Sequence, residues 1–285
     1  MLKLWLLLAQ IAAQAPNRPA EIRSVSVSIT DGRDEPVSGL ATFEVAVVEN
    51  GVVREIAKIQ RDARPVNLAV LVDTSEAVQT SYRLNIVDAV LSFLAGLPEG
   101  SRYELWTTGD RPTRVLDLGA DAQEARRALQ RVAPQGGTTL LDAIVEAGEH
   151  LKKTEGERRA MVVVSAFGPE FSGRDRFQVI ARALDFGLDV FSAVLIEEGT
   201  GADAEMRLNY EHVLVELTSK TGGLLERPLS SLATATALRK VGRDLQARFR
   251  ISYASLPEIK QRKIEVKVAR PGVRVRVGRS TTDMP

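Results

Sequence analysis

The chain has 285 residues, 44% of them hydrophobic and 26% charged, with a formal net charge of +1. A chain of that length and make-up buries a sizeable core, as one large domain or two small ones. The balanced charge excludes a general attraction to nucleic acid or membrane, and the absence of cysteine excludes disulfides, thiol nucleophiles and cysteine-ligated zinc.

Residues 1–15, MLKLWLLLAQIAAQA, set one lysine before a compact apolar run from Leu4 to about Ala9, with small residues at Ala13 and Ala15. This is the layout of a secretory signal peptide; a buried N-terminal helix is the alternative. The run is too short to span a bilayer comfortably. The expectation is an exported protein, periplasmic or secreted and not membrane-spanning. Pro16 would hinder a peptidase at the best cut, so the cleavage position stays open.

Residues 16–62 read as strands. IRSVSVSIT alternates apolar and polar at period 2, and Asn50-Gly51 between two apolar runs marks a hairpin, because both residues tolerate positive φ. Residues 63–248 change to strand–helix alternation. Buried strands are expected at 67–73, RYELWTTG, AMVVVSAFG and LDVFSAVLI, with TRVLDLG as a further candidate. Helices are expected at SYRLNIVDAVLSFLAGL, DAQEARRALQRV (capped by Asp121), the stretch opened by Gly136-Gly137, DRFQVIARALDFG, AEMRLNYEHVLVELTSKTGG and SSLATATALRKVGRDLQARF. Residues 249–285 return to alternating strands. The expected fold is α/β, a doubly wound and mostly parallel sheet, with a small β module formed by the N- and C-terminal strands.

In NLAVLVDTSEAV, which starts at residue 67, Asp73 and Ser75 stand where a buried strand ends. In an open parallel sheet, ligands bind beyond the carboxyl ends of the strands. A second loop, Gly136-Gly137-Thr138-Thr139, opens a helix in the same unit. Oxygen-only groups on such loops suit a hard divalent cation such as Mg²⁺.

VLVDTSEAV and GGTTLLDAI resemble the first two motifs of the von Willebrand factor type A family. VSITDGRDEPVSGLATFEVAVVENGVVREI and RKIEVKVARPGVRVRV are similar to the flanks of a bacterial subgroup, and the resemblance spans about residues 22–278. It implies a doubly wound domain that binds partners and performs no catalysis. It also implies a metal-ion-dependent adhesion site in which Asp73, Ser75 and Thr138 match ligands. Two departures stand out. Ala77 replaces the second serine, and Ala166 or Phe167 stands where the third motif brings an aspartate. Each loss weakens a cation site, by analogy with the roughly 10–100-fold effects of outer-shell changes. The resulting expectation is a degenerate site with no cofactor, in which Asp73 and Thr138 cap helices, and a protein partner met at the loops after Asp73, Thr138 and Ser165. The alternative is Mg²⁺-dependent adhesion through the residual Asp73, Ser75 and Thr138.

Other chemistry has little support. The GxGxxA string at residues 199–204 follows Glu197-Glu198, which would repel a pyrophosphate, and reads as a surface loop. His150 and His212 read as solvated residues on helix faces, so a hydrolase using the sheet-top cleft is the least supported reading. From Arg239 to Arg279 there are 13 Lys or Arg against three Asp or Glu. In KIEVKVARPGVRVRVGR these alternate with valine and isoleucine, as on one solvated sheet face; a second reading is a basic strip for an anionic partner. Few aromatics interleave, so nucleic acid is not expected.

Overall fold

The computed structural model describes residues 21–156, 158–198, 202–256 and 262–282. Residues 1–15 and Gly199–Gly201, on which the signal-peptide reading and part of the GxGxxA reading fall, lie outside them. In chain order the first strands are β1 (Glu21–Thr30), β2 (Val45–Glu49), β3 (Val52–Arg54), β4 (Ile56–Arg61) and β5 (Asn67–Val72). A π-helical turn at Tyr82–Ile86 leads into α1 (Val87–Ala95), followed by β6 (Arg102–Thr108), β7 (Pro112–Leu116), α2 (Ala122–Arg131) and α3 (Leu140–Lys152). Then come β8 (Arg159–Ala166), α4 (Arg176–Asp185), β9 (Val190–Ile196), α5 (Ala204–Thr221) and β10 (Leu225–Glu226). The chain closes with α6 (Thr234–Gln246), β11 (Arg248–Ser255), β12 (Ile264–Val268) and β13 (Arg274–Thr282).

The central sheet runs β10-β9-β8-β5-β6-β7, parallel throughout except for β7 at its edge. Its inner strands read as unbroken apolar runs because both of their faces are covered. In β5, Leu68, Val70 and Val72 pack under α1 and α6, while Ala69 and Leu71 pack under α3 and α5. The chain leaves β5 for β6 on one side and returns to β8 on the other. The strand order therefore reverses between β5 and β8, and a crevice opens beyond their carboxyl ends.

The terminal strands form a four-stranded antiparallel sheet, β13-β1-β11-β4, and a three-stranded one, β12-β2-β3, around Val25, Val27, Ile29, Val47, Ile251 and Tyr253. The β2–β3 hairpin turns at Asn50 and Gly51, both at positive φ (49° and 82°), as their sequence requires. The solvated-face expectation holds on β12, where Glu265 and Lys267 are exposed, as is Lys263 just before it. On β13 it holds at Arg274, which is exposed, and fails at Arg276, which is turned onto Asp244 of α6; on β11 of the same sheet Arg248 is fully buried, because the polar face of this sheet packs against the α/β unit.

Gly222-Gly223 threads α5 back toward the sheet. Gly222 takes the left-handed conformation (φ 64°) that ends the helix. A Cβ on Gly223 would stand 1.8 Å from the carbonyl oxygen of Phe191, in backbone that cannot yield. Gly223→Ala is expected to lower stability by about 3 kcal/mol in urea unfolding. No helix among the described residues is long and apolar enough to cross a membrane.

Candidate functional site

Asp73 is the first residue past β5, and its N–H is held by the Val164 carbonyl of β8 at 2.8 Å. Its side chain is fully buried. Oδ1 accepts the Ser75 N–H at 2.8 Å, and Oδ2 accepts the Ala166 N–H at 3.0 Å and the Ser165 hydroxyl at 3.1 Å. Burial pushes the Asp73 carboxyl above its usual range, and these hydrogen bonds only partly offset that. Asp73 therefore ties the first loop to the end of β8 and caps no helix. Ser75 is also fully buried, yet its Oγ, although close to Asp73, has no hydrogen-bond partner among the described residues.

Thr138 enters from the loop before α3. Its backbone donates to Pro169 O and accepts from Phe171 N–H, each at 2.8 Å, in a one-residue parallel bridge to Glu170. Its hydroxyl shares a 2.9 Å hydrogen bond with that of Thr108, so it does not cap α3; the residue at the cap is Thr139, whose hydroxyl makes no capping bond and donates to Gly109 O at 2.9 Å. The first two loops are joined by Glu76 N–H to Gly136 O at 2.9 Å and Gln135 N–H to Thr74 O at 3.0 Å. The third loop presses close. A Cβ on Gly168 would lie 3.0 Å from Ser75 Oγ and 3.1 Å from the Ala77 methyl. Asp73, Ser75, Thr138 and Ser165 are thus brought together, with Ala77 and Ala166 at the same crevice.

The bridge to Thr138 brings in a carboxylate that sequence reasoning missed. Glu170 Oε1 accepts the Ser172 N–H at 2.9 Å, while its buried Oε2 has no hydrogen-bond partner among the described residues. Burial raises the Glu170 carboxyl to about 7; the Ser172 and Tyr210 hydrogen-bonding groups work against this and the Asp73 charge adds to it. The buried Tyr210 hydroxyl lies beside the same cluster, donating to Gly168 O at 3.4 Å. Its phenol is pushed up by burial and by the charges of Glu170 and Asp73. The only signal in the sequence is a single acidic residue in SAFGPEF, four positions past Ala166.

These groups fit a small hard cation. Two of the oxygens, Ser75 Oγ and Glu170 Oε2, are buried without partners, and every donor in the set is oxygen. Among the described residues no group of three or more histidines and carboxylates gathers, so the fit rests on Asp73 and Glu170 with the hydroxyls of Ser75 and Thr138. The outer lip of the crevice carries Phe171 and Phe177, both exposed, and a cavity of about 410 Å³ that Glu170 lines together with Arg174, Arg176, Asp203 and Glu205.

The histidines stand elsewhere. His150 is partly exposed but paired: its Nδ1 lies 2.7 Å from Oε2 of the buried Glu104, whose Oε1 accepts the Trp106 indole N–H at 2.8 Å. The His212 ring lies edge-on to Phe177, 5.7 Å between centroids. With Ser75 Oγ unpartnered, no imidazole holds it as a nucleophile requires.

Residues 68–168 match the family profile described as von Willebrand factor type A domain. Proximal thread matrix protein 1 from the mussel byssus aligns at 14% identity over 74% of this chain and 50% of its own, with a TM-score of 0.52. A form of that protein with a zinc-occupied MIDAS motif aligns at 15% identity over 68% and 48%, again with a TM-score of 0.52. A von Willebrand factor type A protein from Catenulispora acidiphila aligns at 12% identity over 92% and 73%, with a TM-score of 0.50. The chain spans about half the length of the mussel protein. No curated protein sequence matches it. The matched segment, the doubly wound sheet and the crevice at its switch point agree: residues 68–168 lie in a von Willebrand factor type A domain.

Proposed function

We propose that the chain is an exported, non-enzymatic binding module whose partner protein docks on the loops after Asp73, Thr138 and Ser165. The observation that carries this reading is the buried crevice at the switch point that Asp73 and Glu170 share, where Ser75 Oγ and Glu170 Oε2 have no hydrogen-bond partner within bonding geometry among the described residues. Unsatisfied buried polar atoms destabilise a fold by about 1–3 kcal/mol each. They are retained where something arrives to satisfy them, and two carboxylates sharing a buried cleft call for a positively charged group. In the metal-independent form, that group is a basic side chain of the partner, with the exposed Phe171 and Phe177 covered around it.

The same two oxygens favour a cation-assisted form as a second reading. An Mg²⁺ held by Ser75, Thr138, Asp73 and Glu170 would supply a positive centre open to a partner's carboxylate. The test is capture of partners by the immobilised full chain, with Ser75→Ala and Glu170→Gln compared with Asp121→Ala at the distant α2 cap. Loss of capture in the first two variants alone is expected; equal capture by all three sinks the proposal. Millimolar Mg²⁺ separates the forms: a rise in melting temperature in the native chain but not in Glu170→Gln supports the second, and no rise leaves the first.

A further inference from the structure

At the other end of the central sheet, the amino ends of β8 and β9 face the polar side of the four-stranded sheet across a cavity of about 510 Å³. Guanidinium groups from four separate segments line it: Arg64 ahead of β5, Arg159 on β8, Arg250 on β11 and Arg279 on β13. Among the described residues, the carboxylates of the wall are Asp62 and Asp189.

Both carboxylates are occupied. Arg64 binds the two oxygens of Asp62, each at 2.8 Å, and Arg158 stands behind it with Nε at 4.0 Å. Oδ2 of Asp189 accepts the Arg159 backbone N–H at 2.9 Å. Arg159 donates through Nη2 to Thr154 O at 2.9 Å, while its buried Nε has no hydrogen-bond partner among the described residues. Arg279 donates through Nη1 to the carbonyl of Leu184. Neither Arg159 nor Arg279 has a carboxylate partner among the described residues. The hydroxyl side of β1, Ser24 and Ser26, completes the wall, because the intervening Val25 and Val27 face the β core.

A half-enclosed space lined by Arg159 and Arg279, neither paired with a carboxylate among the described residues, and by the hydroxyls of β1 suits a compact anion with several acceptor oxygens. We propose that this cavity binds a tetrahedral oxyanion, phosphate or sulfate, free or as the terminal group of a saccharide. The site lies at the opposite end of the sheet from the Asp73 crevice and does not depend on its reading.

The probes are inorganic phosphate, inorganic sulfate and a sulfated disaccharide, each against chloride at equal ionic strength. In the native chain, the Nε–Hε resonances of arginine are expected to shift with the oxyanions and not with chloride. Arg279→Gln and Arg159→Gln are expected to weaken binding at least about tenfold, and Arg126→Gln on α2 not at all. Tighter binding of the disaccharide than of the free ions identifies a saccharide-borne group, and the reverse a free ion. The proposal is overturned if chloride produces the same shifts, if no oxyanion binds at millimolar concentration, or if folded Arg279→Gln binds as the native chain does. The resonance experiment uses the native chain and decides the matter even where a variant does not fold.

Discussion

At about pH 8 and with chelator present, Glu170→Gln is expected to be more stable than the native chain by about 1–3 kcal/mol. The Glu170 carboxyl sits at about 7 in the folded protein against an ordinary 4.5, chiefly because it is buried, with the Asp73 charge adding to the effect. A carboxyl whose folded value is raised binds its proton more tightly in the native state. Native stability therefore falls as pH rises from about 4.5 through 7, and the full penalty applies above that. Glutamine never ionises, so the variant lacks this slope and the two proteins converge below about pH 4.5. Urea midpoints across this range measure it. A variant less stable than the native chain at pH 8 would mean that Glu170 is a structural acceptor and not an unsatisfied binding group. Saturating Mg²⁺ should narrow or reverse the difference only if the cation-assisted form operates.

A larger loss is expected where the two layers of the molecule join. Asp244 on α6 accepts from Arg248 Nη2 at 2.9 Å and from Ser28 and Arg276, which tie it to β11, β1 and β13. Asp244 and Arg248 are 1% and 0% exposed. Asp244→Ala would leave a buried guanidinium with no counter-charge and is expected to lower stability by about 3–5 kcal/mol. Burial alone would raise the Asp244 carboxyl, but the Arg248 and Arg276 charges hold it below its usual 3.8. Its contribution is thus complete above pH 3.8 and is lost only as pH falls through the depressed folded value. Native and Asp244→Ala unfolding curves should accordingly differ by a constant amount through neutral pH. A difference under about 1 kcal/mol would show that the joint is held by packing and not by this charge network.

Much of this architecture was legible in the residues. The apolar runs of β5, β8 and β9 can only be strands covered on both faces, and the alternating IRSVSVSIT can only be a strand with one apolar side. What that alternation does not disclose is what its polar side meets. Ser28 on this strand and Arg248 on its neighbour are buried against α6, because the second layer is laid over them by residues far along the chain, more than 200 positions away in the case of Ser28 and Asp244. Asp73, Ser75 and Thr138 were findable because short motifs at strand and helix ends carry them. Glu170 was not, since only its backbone bridge to Thr138 brings it to the crevice. His150 was misread for a related reason. A helix-face histidine gives no sign of facing Glu104, although a glutamate within the strand RYELWTT is itself a hint that some partner waits for it.

The claim on which the rest depends is that Asp73 and Glu170 share one buried crevice in which negative charge awaits a positive partner. Titrating the ¹³C-labelled Glu170 side-chain carboxyl by NMR, in chelator, reads this directly. The prediction is a midpoint near 7 in the native chain that falls only partway in Asp73→Asn and stays above the ordinary 4.5, because burial is the larger cause and the Asp73 charge the smaller. A native midpoint near 4.5, unmoved by Asp73→Asn, would contradict it.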